Sequence, residues 1–254
     1  MSSPSSAPEQ RFSDRVENYV RYRPSYPQEI IPLLQRETGL IPQSVIADVG
    51  SGTGISAELF LRAGNVVHAV EPNREMRAAA ERLLAHFPNF HSVDGSAQAT
   101  TLPDHRMDFI VAAQAFHWFN TPETRAEFTR ILKPGGHIVL IWNERKLDST
   151  PFLQAFEQLL ITFGTDYTKV RHENVNTAAL VAFFSGPYAT HTFAYEQHFD
   201  FEGLKGRLLS SSYAPAAGQP RHDEMIAELR RIYDVYQVSD QVCFEYDTRV
   251  HVGR

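Results

Sequence analysis

The sequence is poor in cysteine and contains no long apolar run. Its single cysteine, Cys243, excludes an internal disulfide framework and any metal site built from several cysteines. It is also typical of a reducing compartment. No apolar stretch approaches the roughly 20 residues that span a bilayer, and residues 1–10 lack the basic-then-apolar pattern of a signal peptide. We therefore expect a cytoplasmic protein with no membrane partner.

Basic residues are scarce relative to acidic ones. The 24 lysines and arginines against 30 aspartates and glutamates give a formal net charge of -6. A protein that binds nucleic acid by neutralising phosphates carries the opposite balance, so no nucleic-acid partner is expected. Histidines are numerous, but no pair of them has a ligand spacing beside a carboxylate. We expect a small-molecule substrate and no metal site.

Short apolar runs alternate with amphipathic segments, which is typical of βαβ units and a parallel sheet. Apolar residues at every second position from Val242 to Val252 indicate a half-buried, antiparallel C-terminal strand. The sequence predicts an α/β, doubly wound, Rossmann-like fold with a mainly parallel sheet, and a cap formed by the helices after Asn143. Residues 1–10, rich in serine and proline, are expected to be a disordered tail before a single domain over 11–254.

A glycine-rich turn follows the first predicted strand, Val45–Val49. It contains Gly50, Gly52 and Gly54 and leads into a predicted helix. Glycines at such a turn let the backbone bend sharply and approach a ligand without an intervening Cβ. The helix N-terminus adds unpaired N–H groups. Because open α/β sheets bind ligands at this carboxyl edge, the turn predicts a binding site.

Two acids near the turn indicate which cofactor it holds. Glu71 ends the second predicted strand, where a carboxylate suits the two hydroxyls of a ribose. Asp48 precedes Gly50 and would repel a pyrophosphate but attract a ligand with an ammonium and a sulfonium group, as in S-adenosylmethionine. A dinucleotide fingerprint needs a third glycine where Ile55 or Ala57 stands. Alanine is sometimes accepted there, so a nicotinamide-dependent oxidoreductase stays an alternative.

The turn with its leading acid, together with Glu71, resembles motif I and the following acid of class I S-adenosylmethionine-dependent methyltransferases. Residues 91–97 resemble the family's adenine-binding turn, although Ser96 stands where many relatives have aspartate. Residues 108–119 resemble the fourth strand and the loop that borders the methyl group, and residues 132–137 resemble the turn into the fifth strand. Methyltransferase type 11 and the trans-aconitate methyltransferase-like proteins are the groupings that the sequence resembles most.

This resemblance implies a seven-stranded sheet in one methyltransferase domain with S-adenosyl-L-methionine as cofactor. It implies N-terminal helices over the cofactor in 11–40, a cofactor-binding core in 41–145, and substrate-side helices and last strands in 146–254. The implied cofactor-binding residues are Asp48, Gly50, Ser51, Gly52, Thr53, Gly54, Glu71, Pro72, Met76, Ser96, Ala97 and Gln114.

Aromatic and arginine side chains interleave before the sheet, in a segment that folds over the cofactor in similar proteins. Tyr19 and Arg23 are therefore candidate cofactor ligands, and Tyr22 is a candidate catalytic residue. The alternative is a packed helix whose tyrosines border the core and whose arginines are solvated.

Further candidates lie beyond the cofactor motifs. His117 follows the fourth predicted strand, where an imidazole can accept a proton from a hydroxyl; the alternative is a structural histidine. Trp118 is a candidate substrate-binding wall. Arg207 and Tyr213 lie between the last two strands, where the family places substrate-selecting elements, and an arginine there can clamp a carboxylate. The alternative for both is a solvated helix end.

The implied reaction is in-line methyl transfer to a small molecule through a carboxylate or a hydroxyl. A carboxylate acceptor needs no general base, whereas an alcohol or amine needs one such as His117 or Tyr22. The alternative from a different class is a protein that binds S-adenosylmethionine or S-adenosylhomocysteine without turnover.

Overall fold

The computed structural model describes residues 20–165, 167, 177–184, 186–211 and 213–254. The predictions of a disordered tail over 1–10 and of a role for Tyr19 lie outside the described residues. One seven-stranded sheet has the order β3-β2-β1-β4-β5-β7-β6. Its strands are β1 Val45–Val49, β2 Val66–Val70, β3 Phe90–Val93, β4 Met107–Ala113, β5 Leu132–Arg145, β6 Tyr188–Phe199 and β7 Val242–Gly253.

The first five strands pair in parallel, and β7 lies antiparallel between β5 and β6. The predicted α/β, doubly wound and mainly parallel fold with an antiparallel C-terminal strand is thereby confirmed. Strand β5 begins at Leu132, within the segment 132–137 expected to be the turn into the fifth strand, because the chain pairs with β4 before and after a register shift. The helix before it ends at Ile131, ahead of the proline and glycines at 134–136, which are unfavourable in a helix.

Eight α-helices connect these strands in the part of the chain that the structure describes. They are α1 Ile30–Thr38, α2 Ile55–Arg62, α3 Arg74–Leu84, α4 Pro122–Ile131, α5 Pro151–Phe163, α6 Thr177–Phe184, α7 Phe201–Leu209 and α8 His222–Tyr236. Of these helices, none combines the length and apolarity needed to cross a bilayer.

Apolar side chains cover both faces of the sheet. Ile46 of β1 faces one cluster with Leu34 and Phe60, whereas Val49 belongs to a second cluster with Phe116 and Phe128 on the opposite face. Because both faces are buried, the central strands read as nearly continuous apolar runs in the sequence.

A third apolar cluster lies around β7, where α5, α7 and α8 pack together. Phe244 is fully buried there, with Leu204 of α7 and Leu229 of α8 in the same cluster. This cluster is the core of the predicted helical cap, and it leaves the carboxyl ends of β1, β2 and β4 available for a separate cavity.

Candidate functional site

A cavity of about 270 Å³ opens at the carboxyl ends of the central strands. Strand β1 lies between β2 and β4, so the strand order reverses here, where open α/β sheets bind their ligands. Among the described residues, nineteen line it: Tyr26, Gly50, Ser51, Gly52, Thr53, Ile55, Ser56, Glu71, Pro72, Asn73, Met76, Ser96, Ala97, Gln98, Ala113, Gln114, Ala115, Trp118 and Phe119.

The glycine turn after β1 forms the floor of this cavity. Gly50 and Gly52 have φ angles of 70° and 57°, in the left-handed region that favours glycine. A Cβ at Gly50 would lie 2.7 Å from that of Ala115, so the turn packs closely on the segment after β4. At Gly52 no atom of the described residues lies within 4 Å of an added Cβ. The backbone is therefore exposed to a ligand at Gly52.

Gly54 has a different role from the one implied by the resemblance. An added Cβ there would lie 2.5 Å from Leu84 Cδ1, and Gly54 lies outside the cavity wall. This glycine allows α2 to pack on α3. Its contribution to a cofactor site is therefore the placement of the helix, and direct contact stays a prediction.

Two hydroxyl groups point to a polar ligand in this cavity. Ser51 Oγ and Thr53 Oγ1 are buried, and neither has a hydrogen-bond partner among the described residues. A buried hydroxyl without a partner costs free energy, so both groups need a partner. Because both residues line the cavity, a polar ligand at its floor can supply that partner.

Glu71 joins the tips of β1 and β2 through backbone hydrogen bonds. Its Oε2 accepts from the Gly52 N–H at 2.9 Å, and its Oε1 accepts from the Asn73 N–H at 2.9 Å. An ionised carboxylate has about four acceptor positions, so it can accept from hydroxyl groups as well as from backbone N–H groups. The pair of oxygens facing the cavity thus fits a vicinal diol.

One wall of the cavity follows β2 and β3. Asn73 caps α3 by accepting from the Met76 N–H at 2.9 Å, which fixes Met76 against the cavity. Ser96 and Ala99 form an isolated antiparallel bridge that shapes the turn after β3. Pro72, Met76, Ser96 and Ala97 all line the cavity. The mostly apolar surface suits a flat heterocycle.

The opposite wall follows β4 and is strained at one residue. Gln114 has a φ of 54°, which costs non-glycine residues free energy and often accompanies a functional site. Its Nε2 donates to the Asn143 carbonyl at 3.0 Å, and its own N–H donates to the Ile141 carbonyl at 2.9 Å. Trp118 also lines this wall, and its contact with substrate stays a prediction.

Asp48 does not line the cavity, contrary to the expectation that it contacts the cofactor. Its side chain is fully buried, and Oδ2 accepts from Ser56 Oγ at 2.7 Å. Oδ1 has no hydrogen-bond partner within the described part of the chain. Burial raises the pKa of Asp48 to about 7, with a smaller contribution from the charge of Glu71. Asp48 thus lies beneath the turn and is hydrogen-bonded to Ser56, which lines the cavity; its contribution to cofactor binding stays a prediction.

Tyr22 and Arg23 also lie outside the cavity. An added Cβ on Gly206 of α7 would meet the Tyr22 ring at 2.0 Å, so this ring packs flat on the helix. Arg23 Nη2 donates to the Ser210 carbonyl at 3.1 Å. Tyr26, which sequence reasoning missed, lines the cavity instead and is only 7% exposed. Several tyrosines stand in this segment, and spacing alone does not distinguish them.

His117 lies in the turn after β4 but not in the cavity wall. Its ring contacts Trp118 and Trp142 at centroid distances of 4.7 Å and 5.8 Å. Burial lowers the pKa of His117 to about 4, so the imidazole is a weak proton acceptor. The structure thus disagrees with the interpretation of His117 as a general base.

The two substrate candidates after β6 are held away from the cavity. Arg207 is buried in the cap, and its Nη1 donates to Ser211 Oγ at 3.4 Å. Tyr213 packs against Tyr167 with ring centroids 4.9 Å apart. Neither residue lines the cavity, because Arg207 is buried on α7 and Tyr213, which follows that helix, packs against the apolar cluster of the cap. Their contact with substrate stays a prediction.

The cavity includes polar residues that the motifs did not identify. Ser56, Asn73 and Gln98 line it alongside the predicted residues. Asn73 has a sequence signal, because an asparagine before an amphipathic segment is a typical helix N-cap. Ser56 and Gln98 have no comparable signal, since their positions depend on how α2 and the turn after β3 pack.

Residues 47–140 match a family model described as a methyltransferase domain. An uncharacterized methyltransferase of Schizosaccharomyces pombe is 34% identical over 150 residues, 59% of this chain and 58% of that protein. One from Mycobacterium bovis is 35% identical over 136 residues, 53% of this chain and 52% of that protein. The matched part is thus a little over half the length of these relatives.

Solved structures share the whole fold. A protein of Anaeromyxobacter dehalogenans, provisionally named a type II methyltransferase, has a TM-score of 0.66 at 20% identity, with 92% of this chain and 98% of that one covered. The phosphoethanolamine N-methyltransferase 2 of Haemonchus contortus, in complex with S-adenosyl-L-methionine, has a TM-score of 0.56 at 12% identity. That alignment covers 96% of this chain and 56% of the other. Residues 47–140 are thus similar in sequence to a methyltransferase domain, and the chain shares its fold with solved methyltransferase structures.

Proposed function

We propose that this protein transfers a methyl group from S-adenosyl-L-methionine to a small-molecule acceptor. The observation that carries the proposal is Glu71, whose carboxylate is hydrogen-bonded to the Gly52 backbone and faces a cavity with buried, partnerless hydroxyls at its floor. Bound S-adenosyl-L-methionine supplies an electrophilic methyl carbon on a sulfonium. The residues around the cavity bind and orient that group.

Each wall of the cavity has a distinct role in this proposal. Glu71 accepts from the ribose hydroxyls, while Pro72, Met76 and Ala97 enclose the adenine. Ser51 and Thr53 hydrogen-bond polar atoms of the amino-acid portion. The resulting fixed position is the main catalytic contribution, because alignment of acceptor, methyl carbon and sulfur can supply several orders of magnitude in rate.

The wall near Gln114 limits the kind of acceptor. Ala115, Trp118 and Phe119 make it partly apolar, which favours a transition state with dispersed charge. His117 lies outside the cavity, and its lowered pKa makes it a poor general base. We therefore favour an acceptor that needs no deprotonation by the protein, such as a carboxylate, over a hydroxyl.

The amino-acid composition supports the proposed substrate class and cellular location. A net charge of -6 is unfavourable for a polyanionic substrate and supports a small molecule. The single cysteine suits the reducing cytoplasm.

Substitution of Glu71 by glutamine tests the cofactor site. Glu71→Gln places an amide next to the Gly52 and Asn73 N–H groups and removes the charged acceptor for the ribose. We expect S-adenosylhomocysteine to bind about tenfold to hundredfold more weakly by isothermal titration calorimetry, the equivalent of about 1–3 kcal/mol. Glu75→Gln, on the exposed side of α3, is the matched control and should bind normally. Equal affinity of the Glu71→Gln variant and the wild type would contradict the proposed site.

Turnover is tested separately from binding. The wild-type protein is incubated with isotopically labelled S-adenosyl-L-methionine and a panel of carboxylic acids, alcohols and amines, and labelled products are detected by mass spectrometry. We expect transfer to a carboxylic acid. Tight cofactor binding without transfer to any acceptor class would instead indicate a cofactor-binding protein without turnover, and preferential binding of a nicotinamide dinucleotide would indicate an oxidoreductase.

A further inference from the structure

Three side chains with different metal-binding donors meet on the outer two strands of the sheet, on elements that do not line the cofactor cavity. The donor atoms of Glu196, His198 and Cys243 all lie within 4.8 Å of one another. His198 is directly opposite Cys243 in the β6–β7 ladder, and Glu196 lies two residues earlier on β6. Residues two apart on a strand share a face, so the pleat directs all three side chains to the same side.

The neighbouring positions on these strands face the other way. Gln197, Phe244 and Tyr246 alternate with the three donors, and Phe244 and Tyr246 are buried in the apolar cluster of the cap. Tyr246 Oη donates to Gln197 Oε1 at 3.0 Å, which fixes the two strands against each other. The two strands are therefore held together beneath the donors, and β6 is the last strand of the sheet.

The spacing of the donors suits a tetrahedral metal ion. Zinc bonds of about 2.0–2.3 Å place adjacent ligand atoms about 3.3–3.8 Å apart. Glu196 Oε2 and His198 Nε2 are already 3.4 Å apart. Their side chains are 59% and 52% exposed, so they can rotate to bring all three donors onto one ion. The fourth coordination position of the metal would face solvent and bind a water molecule.

The charges around the cluster also favour a cation. Glu196 is directly opposite Glu245 in the ladder, and like charges placed across a ladder destabilise it. A divalent ion bound by Glu196 would offset that repulsion. The sulfur of Cys243, which would release its proton to solvent on binding the metal, and the imidazole of His198 favour zinc over magnesium or calcium, which prefer oxygen ligands.

We propose that Glu196, His198 and Cys243 form a binding site for Zn²⁺ or a similar borderline divalent cation, and that this ion links the edge strand β6 to β7. The site is independent of the proposed methyl transfer. The expectation of no metal site rested on spacing along the chain, whereas the antiparallel ladder brings together ligands that lie far apart in the sequence.

The test uses the full-length protein, purified without an affinity tag and freed of metal. Zn²⁺ is titrated by calorimetry, and Co²⁺ replaces it as a spectroscopic probe, because a cobalt–thiolate bond gives a charge-transfer absorption in the near ultraviolet. Protection of Cys243 from alkylation by Zn²⁺ is followed in parallel. The variants are Cys243→Ser, His198→Asn and Glu196→Gln. His191→Gln is the control, since His191 lies on the same strand and pairs with Glu37 at 2.8 Å, outside the proposed ligand set.

We expect one Zn²⁺ site per chain and a cobalt–thiolate band that disappears in Cys243→Ser. Cys243→Ser and His198→Asn should each weaken Zn²⁺ binding by at least about tenfold, because even loss of an outer-shell partner has that effect. Glu196→Gln should weaken it less, and His191→Gln should match the wild type. A dissociation constant above about 1 mM for the wild type, or binding that survives Cys243→Ser or His198→Asn, would overturn the proposal. Circular dichroism checks that each variant is folded.

Discussion

Asp48 is an acid enclosed by an apolar sheet, and its ionisation is therefore coupled to folding. The pKa of Asp48 is raised from 3.8 to about 7, with burial as the largest cause. Between these two values the folded chain retains a proton that the unfolded chain releases. The free energy of unfolding consequently falls as the pH rises through this window, and the loss is complete above about pH 7.

Replacement of Asp48 by asparagine should remove this pH dependence. The free energy of unfolding of the wild type should fall by up to about 1.4 kcal/mol per pH unit as the pH rises through the window, whereas that of Asp48→Asn should not show this fall. Denaturant unfolding at several pH values measures the difference. Glu58→Gln alters an exposed acid paired with Arg62 and is the control. Parallel stability curves for Asp48→Asn and the wild type would show that Asp48 ionises normally.

Gln114 has a left-handed backbone conformation, which should lower the stability of the protein. Gln114→Ala retains the strain, whereas Gln114→Gly relieves it, and both lose the hydrogen bond to the Asn143 carbonyl. We expect the glycine variant to be the more stable of the two by about 1 kcal/mol, the reverse of their order at an ordinary strand position. Thermal unfolding of the two variants measures the difference in their stability. If Gln114→Ala were more stable than Gln114→Gly, the proposed backbone strain at Gln114 would be contradicted.

At the scale of elements, the segment 20–26 is held on the cap by several contacts. Tyr22 packs on Gly206 of α7, and Arg23 donates to the Ser210 carbonyl. Asn143 Nδ2 donates to the Ser25 carbonyl at 2.9 Å. These contacts place Tyr26 against the cofactor cavity, so a change on α7 should be transmitted to the site.

Gly206→Ala tests this coupling between α7 and the N-terminal segment. The new Cβ would overlap the Tyr22 ring, and overpacking of this kind costs about 1–3 kcal/mol. We expect faster proteolysis within 20–26 and weaker S-adenosylhomocysteine binding. Lys205→Ala, next to Gly206 on the same helix, should change neither the rate of proteolysis nor S-adenosylhomocysteine binding. Adding Tyr22→Ala to Gly206→Ala removes the overlap and should restore stability relative to Gly206→Ala alone. Unchanged proteolysis in Gly206→Ala would show that the segment is held elsewhere.

At the scale of the whole molecule, cofactor binding should stabilise the fold. The cavity is formed by the ends of β1, β2 and β4, which separate on unfolding, so a ligand that binds there favours the folded state. At 100 times its dissociation constant, S-adenosylhomocysteine should add about 2.7 kcal/mol to the free energy of unfolding. For a chain of this size this raises the melting temperature by about 5–10 °C.

Differential scanning fluorimetry measures this shift. Under the same conditions a nicotinamide dinucleotide should leave the melting temperature unchanged, and Glu71→Gln should reduce the shift caused by S-adenosylhomocysteine. A larger shift with the dinucleotide would favour the oxidoreductase alternative.

Much of the fold was predictable, because a strand buried on both faces appears in the sequence as an apolar run. Val45–Val49 was predicted with the bounds that the structure has, and the second strand ends immediately before Glu71, as expected. The start of β5 was not, because Leu132 pairs with Met107 through a register shift that no local pattern indicates. The division of the domain into N-terminal helices over 11–40, a cofactor-binding core over 41–145 and substrate-side elements over 146–254 stays a prediction.

The sequence by itself determined the cofactor-side turn and Glu71, because glycines and an acid at strand ends are local features that depend only on neighbouring residues. Tertiary structure decided which side chains reach the cavity, since Tyr22, Arg207 and Tyr213 pack in the cap while Tyr26 faces the site. It also decided that His198 meets Cys243. Such contacts depend on how segments that are distant in the sequence pack against one another, and no short-range pattern in the chain encodes them.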